Sequence, residues 1–103
     1  EWPEAVFAAN DQMAIEAIMV AQEQGLHVPE DIAIVGFDDI PMAGSTAPAL
    51  TTVHQPIYEL GWHAAQTALA MIKTARDKRP LAAPRLTLLP TSLVVRRSCG
   101  CKG

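Results

Sequence analysis

The sequence predicts an α/β fold built on a doubly wound parallel sheet, and three observations point there. Ile32 to Val35 and Phe37 make an apolar run without alternation, interrupted only by Gly36, which suits a strand covered on both faces. An earlier apolar run, Ala5 to Ala9, is followed by a helical pattern, so strand, helix and strand succeed one another within about 33 residues, the length of a parallel crossover unit. The second run ends at Asp38-Asp39, and open sheets of this kind bind ligands at the carboxyl ends of their strands.

Each element has its own local signature. Asn10 or Asp11 can cap a helix starting near Gln12, and Gly25 suits its C-terminal cap. On that helix Ala14, Ala17, Ile18 and Ala21 form one apolar face, while Gln12, Glu16 and Glu23 mark the other. Ile15 and Met19 fall on the polar side and have no place in the core by this reading. His27 to Asp31 is the turn into the second strand. Pro41 to Pro48 is a short helical turn or loop before a third strand, Leu50 to Val53.

A second long helix starts near Pro56 or Ile57, since proline suits a first turn. Ile57, Gly61, Ala64, Ala68, Met71, Ile72 and Ala75 give it a packing stripe at spacings of three and four. Arg76 to Arg85 is a charged, proline-containing connection. Leu86 to Leu89 and Ser92 to Val95 then read as extended segments broken at Pro90, before the polar tail.

The totals narrow the function. A chain of 103 residues is long enough for one core that removes roughly two-thirds of the unfolded surface from water. With 50% hydrophobic and 18% charged residues it is globular rather than disordered. Its net charge of −3 lacks the basic excess that phosphate-backbone binding requires. No apolar stretch approaches the ~20 residues of a membrane span. The two cysteines, Cys99 and Cys101, are no disulfide framework and leave a structural zinc two ligands short. They read as reduced and inert, compatible with a reducing cytoplasm. The chain opens at Glu1-Trp2-Pro3 without initiator methionine or leader, so a fragment of a longer protein is expected.

An acidic pair at a strand end is open to metal, phosphoryl and polyol chemistry, and equally to a structural role as a strand-end or helix-cap pair. A phosphoryl site needs a neutralising cation, and the lysines, Lys73, Lys78 and Lys102, all fall away from the rim. No glycine-rich phosphate loop, nucleophile elbow or metal-type histidine spacing occurs. Neither an enzyme, nor a metal site, nor a cofactor is expected. The three strand ends carry Asn10, Asp38 and Gln55, which would line one rim. A carboxylate that accepts and the Asn10 amide, which both donates and accepts, match the dual character of sugar hydroxyls, while Gln55 could equally tie down the chain before Pro56.

Five segments occur in order: Ala8 to Ala14, Gly25 to Ile32, Val35 to Asp39, Leu50 to Pro56 and Leu93 to Arg96. Together they closely resemble the C-terminal part of the effector-binding domain in the LacI/GalR (lactose repressor) family of bacterial transcription regulators. The resemblance implies a periplasmic-binding-protein-like fold with two α/β subdomains around a ligand cleft, preceded by a helix-turn-helix headpiece. By that mapping residues 1–54 are part of the C-terminal effector subdomain. Residues 55–89 are a crossover and helix of the N-terminal subdomain, and 90–103 are the final strand of the C-terminal subdomain with the tail.

The same resemblance implies that Asn10 and Asp38 contact a small-molecule effector, a sugar or sugar derivative. Gln55 and Ile57 join them near a crossing that faces the cleft, while Asp39 is left a structural role. It implies a homodimer or higher assembly through the first helix and the loop after Asp39, which supplies a partner for Ile15 and Met19 and adds Met42 and Ser45. Operator DNA would be bound through a headpiece outside this chain, in the cytoplasm and away from any membrane. The rival expectation is a periplasmic sugar-binding protein for transport or chemoreception, which shares the fold and needs no DNA.

Overall fold

In the computed structural model, which describes residues 2–101, β1 (Ala5–Phe7) runs through α1 (Asp11–Glu23) into β2 (Ala33–Val35). The strands pair in parallel, with Ala5 opposite Ala33 and Phe7 opposite Val35, as the crossover unit requires. Both ends of α1 are closed by local chemistry. The Asn10 carboxamide oxygen accepts from the Met13 N–H at 2.8 Å, satisfying one of the amides that a helix start leaves without a partner. At the other end Gly25 takes φ 83, so its N–H reaches the Gln22 carbonyl at 3.0 Å and that of Leu26 reaches Ala21 at 2.9 Å. This pair of bonds is the Schellman closure.

The buried face of α1 is Asp11, Ala14, Ile15, Ile18 and Ala21. It packs with Val28, Ile32, Ile34, Ala43 and Leu50 into one core cluster. Ile15 therefore corrects the sequence expectation: it is 6% exposed and lies within this chain's own core. The spacing of three and four that begins at Asp11 turns the stripe toward residue 15, and a buried aspartate at its head hid that origin. Ala17 is only partly covered.

A short 3-10 turn, Pro41–Gly44, separates β2 from β3 (Thr52–His54). β3 lies parallel alongside the end of β2. The Gly36 N–H donates to the Thr51 carbonyl and the Asp38 N–H to that of Val53, each at 2.9 Å, with bridges at Val35–Thr51 and Asp38–His54. β4 (Ser92–Val94) closes this side antiparallel to β3, pairing Thr52 with Val94 and His54 with Ser92. The expected parallel order thus covers β1, β2 and β3, and the last strand departs from it. Ser98, fully buried, accepts from the Ile34 N–H through its carbonyl and from the Thr51 N–H through its hydroxyl, each at 2.9 Å. It ties the tail between the two strands.

Two compact units result, Glu1–Gln55 with Thr91–Gly103, and Pro56–Pro90. The second consists of α2 (Ile57–Arg76) and the chain that follows it. Lys78 at φ 55 ends this helix, its N–H on Ala75 and that of Arg79 on Thr74, each at 3.1 Å. No residue of α2 is buried, so its small-residue stripe is a packing face without cover. Leu86 to Leu89, expected to be extended, forms no strand. Among the described residues no helix is long and apolar enough to cross a membrane.

Candidate ligand-binding rim

The rim is built where β2 and β3 end. Asp38 and Asp39 follow β2 with φ 127 and φ 59, a left-handed stretch that side-chain-bearing residues seldom adopt and that clusters at functional sites. The Asp38 backbone is held there by its bond to Val53. Its Oδ1 accepts from Gln55 Nε2 at 2.6 Å. Oδ2 carries no hydrogen bond among the described residues and remains available as an acceptor.

Asn10 is brought to the same place by the backbone. The Asp11 N–H donates to the Phe37 carbonyl at 3.0 Å, so Asn10 and Asp38 each stand one residue from that bond. Asn10 is half-buried, and while its oxygen caps α1 its NH2 group is free to donate. Of the four expected ligand residues, Asn10, Asp38 and Gln55 thus belong to one unit, whereas Ile57 opens α2 in the other and is exposed.

Two side chains behind the rim were not legible as partners in the sequence. Asp11 is 0% exposed, and its Oδ2 accepts from the Ile40 N–H at 2.8 Å while Oδ1 accepts from the Thr52 hydroxyl. One carboxylate therefore pins the start of α1, the loop after β2 and the first residue of β3. The other is Arg96, just beyond β4. Its Nη2 lies 2.9 Å from Asp39 Oδ1, its Nη1 donates to the Leu50 carbonyl at 2.9 Å, and His54 Nδ1 sits 2.9 Å from Asp39 Oδ2. The cation near the rim is an arginine, placed there from the far end of the chain just after β4. Both Asp39 oxygens are occupied in this way, which sets Asp39 apart from Asp38.

Burial pushes the Asp39 carboxyl upward, but its hydrogen bonds to His54 and Arg96 outweigh that and hold it below the usual carboxylate range. A depressed carboxyl contributes stability above its unfolded value, near 4, and loses it as pH falls through the folded value. Asp39→Asn should accordingly cost about 1 kcal/mol at pH 7 in urea unfolding of the parent protein. The difference from wild type should shrink as pH falls from the usual carboxylate range through the folded value. A gap that stays constant throughout acid titration would show that another group carries the effect.

Among the described residues no cluster of three metal-type donors occurs. A trough of about 540 Å³ lies wholly within the second unit, lined by Leu60, Ala64, Ala68, Met71 and Leu86 among others, and it shares no residue with the rim. Of the residues expected at a dimer contact, Met19, Met42 and Ser45 are exposed, while Ile15 is not.

Comparison with known proteins agrees with this architecture. The family of the periplasmic binding protein-like domain matches residues 1–99. The HTH-type transcriptional regulator DegA of Bacillus subtilis (strain 168) is 45% identical over 96 residues, 93% of this chain and 27% of the regulator. A putative LacI-family transcriptional regulator from Sanguibacter keddieii superposes with a TM-score of 0.81 at 41% identity, over 95% of this chain and 36% of the other. A complex of the transcriptional regulator CelR with cellobiose superposes at 0.78 and 36% identity, over 92% of this chain and 28% of that one. The lac repressor dimer bound to operator and the anti-inducer ONPF does so at 0.72 and 36% identity, over 93% and 32%. The chain thus spans less than a third of the length of the curated relatives it matches. It belongs to the periplasmic binding protein-like domain family, as a fragment similar to part of LacI-family transcriptional regulators.

Proposed function

We propose that this chain supplies the C-terminal half of a sugar cleft, and a dimer contact, to a DNA-binding transcription regulator that acts as a repressor in the cytoplasm. The observation that carries the reading is the Asp38 carboxylate, held by Gln55 on one oxygen and open on the other, with Asn10 brought to the same strand end by the Asp11–Phe37 backbone bond. Charged acceptors and amide donors that are already oriented suit a polyol, because each hydroxyl can be met as donor and as acceptor. The relatives support the choice, since CelR binds cellobiose and the lac repressor is a dimer on its operator.

In this reading residues 1–54 and 90–103 belong to one effector subdomain and 55–89 to the other. The uncovered face of α2 then packs on parts of the regulator outside this chain. Sugar in the cleft favours one relative orientation of the subdomains, and does so only through unequal affinity for the two states. In a dimer that orientation sets the spacing of two DNA-binding headpieces, which the helical repeat of DNA reads. The chain's role is to bind and transmit, with no catalytic step.

The direct test is calorimetric titration of the full-length regulator with a panel of mono- and disaccharides that includes cellobiose and sucrose. Saturable binding of at least one sugar is expected, together with a change in operator affinity. Operator binding with no heat from any sugar would remove the sugar assignment. For the dimer contact, Met19→Asp places a charge on the exposed side of α1 and should weaken self-association at least tenfold in sedimentation. An unaltered dimer would move the interface off this helix.

A further inference from the structure

The C-terminal turn contains a second arrangement, unrelated to the rim. Gly100 takes φ 80, and its N–H donates to the Arg97 carbonyl at 3.1 Å. This left-handed turn folds Cys101 back toward Cys99, so that the Cys101 N–H lies 3.4 Å from Cys99 Sγ. The Thr51 hydroxyl donates to the same sulfur at 3.1 Å. Ser98 anchors the turn from the buried side. Cys99 is half-buried and Cys101 is exposed.

Two donors thus converge on one sulfur and favour its anionic form, against a longer contact of 3.7 Å in which the thiol donates to the Arg96 carbonyl. Burial pushes the Cys99 thiol up, but the Thr51 hydroxyl and the contributions of Cys101 outweigh it and draw the thiol below its ordinary range. Cys101 is pushed the opposite way by its hydrogen bond to Cys99. A half-buried thiol drawn toward its anionic form beside a more exposed thiol is the arrangement of a peroxide-reactive pair.

We propose that Cys99 and Cys101 form a redox site for hydrogen peroxide, with Cys99 the attacking sulfur and Cys101 the resolving one. The Cys99 sulfur attacks one peroxide oxygen. The S–O bond forms as the O–O bond breaks, and the departing hydroxide becomes water with the thiol proton. Sulfur gives up the two electrons that peroxide gains. Cys101 then attacks the sulfenic sulfur, the S–S bond forms as the S–O bond breaks, and a second water leaves with the Cys101 proton. The proposal is independent of the effector assignment.

The test uses the reduced full-length regulator treated with a small molar excess of hydrogen peroxide, blocked with a maleimide and digested with trypsin. Cleavage after Arg97 and Lys102 releases both cysteines in one peptide. That peptide should be lighter by two hydrogens and unlabelled. Cys101→Ser should trap a dimedone-reactive sulfenic acid on Cys99, and Cys99→Ser should leave Cys101 as a maleimide-reactive thiol. Thr51→Val should slow the peroxide reaction severalfold. Full maleimide labelling of both wild-type cysteines after peroxide, dimedone on Cys101 in place of Cys99, or a disulfide to another cysteine would each overturn the proposal.

Discussion

Gly36→Ala should lower the stability of the parent protein by about 3 kcal/mol, read as a fall in the urea midpoint with an unchanged slope. A methyl group at this position would overlap Asp11 Oδ1, stand 3.0 Å from Leu50 Cδ2 and 3.2 Å from Ala14 Cβ. All three neighbours are 0% exposed, so none can swing into solvent. Asp11 is the least able to yield, because moving it would strip the Ile40 N–H and the Thr52 hydroxyl of their acceptor inside the core, at a cost of about 1–3 kcal/mol for each group left without a partner. The comparison is Gly25→Ala, where φ is 83 but nothing lies within 4 Å of the added carbon. That substitution should cost only about 1 kcal/mol of backbone strain. Equal costs at the two sites would show that α1 does not press on β2 as closely as described.

Asp38→Ala should reduce affinity for the effecting sugar about thirtyfold, or about 2 kcal/mol, while operator binding is retained. Two losses are combined in that figure. The carboxylate that accepts from hydroxyls disappears, and alanine must occupy φ 127 without the local hydrogen bonding available to aspartate. Asp38→Gly separates them, since glycine accepts that conformation readily. The glycine variant should lose less affinity than the alanine variant in the calorimetric titration, keeping the part of the loss that the missing carboxylate causes. Full affinity in the glycine variant would reduce Asp38 to a conformational role. Gln55→Ala should lose less, because it removes a group that orients Asp38 and leaves the carboxylate in place.

Much of the frame was legible because it follows from local chemistry. Asn10 caps a helix by reaching three residues ahead, and Gly25 ends it by adopting a conformation closed to most residues. The apolar run from Ile32 announced a buried strand with an acidic end. What escaped depended on residues distant in sequence. A helix wheel centred on the alanines turns Ile15 outward, and a buried aspartate at position 11 looks polar until its two donors, from Ile40 and Thr52, are known. Arg96 is nearly sixty residues from Asp39, and no spacing rule joins them.

The strand-helix-strand unit, its caps and the acidic strand end were therefore set by the sequence alone, since each depends on neighbours within a few positions. The separation of Asp38 from Asp39 required the tertiary structure. β3 and the segment after β4 bring His54 and Arg96 to one carboxylate and Gln55 to the other. Two chemically identical side chains then differ only in how many of their oxygens the fold has already occupied.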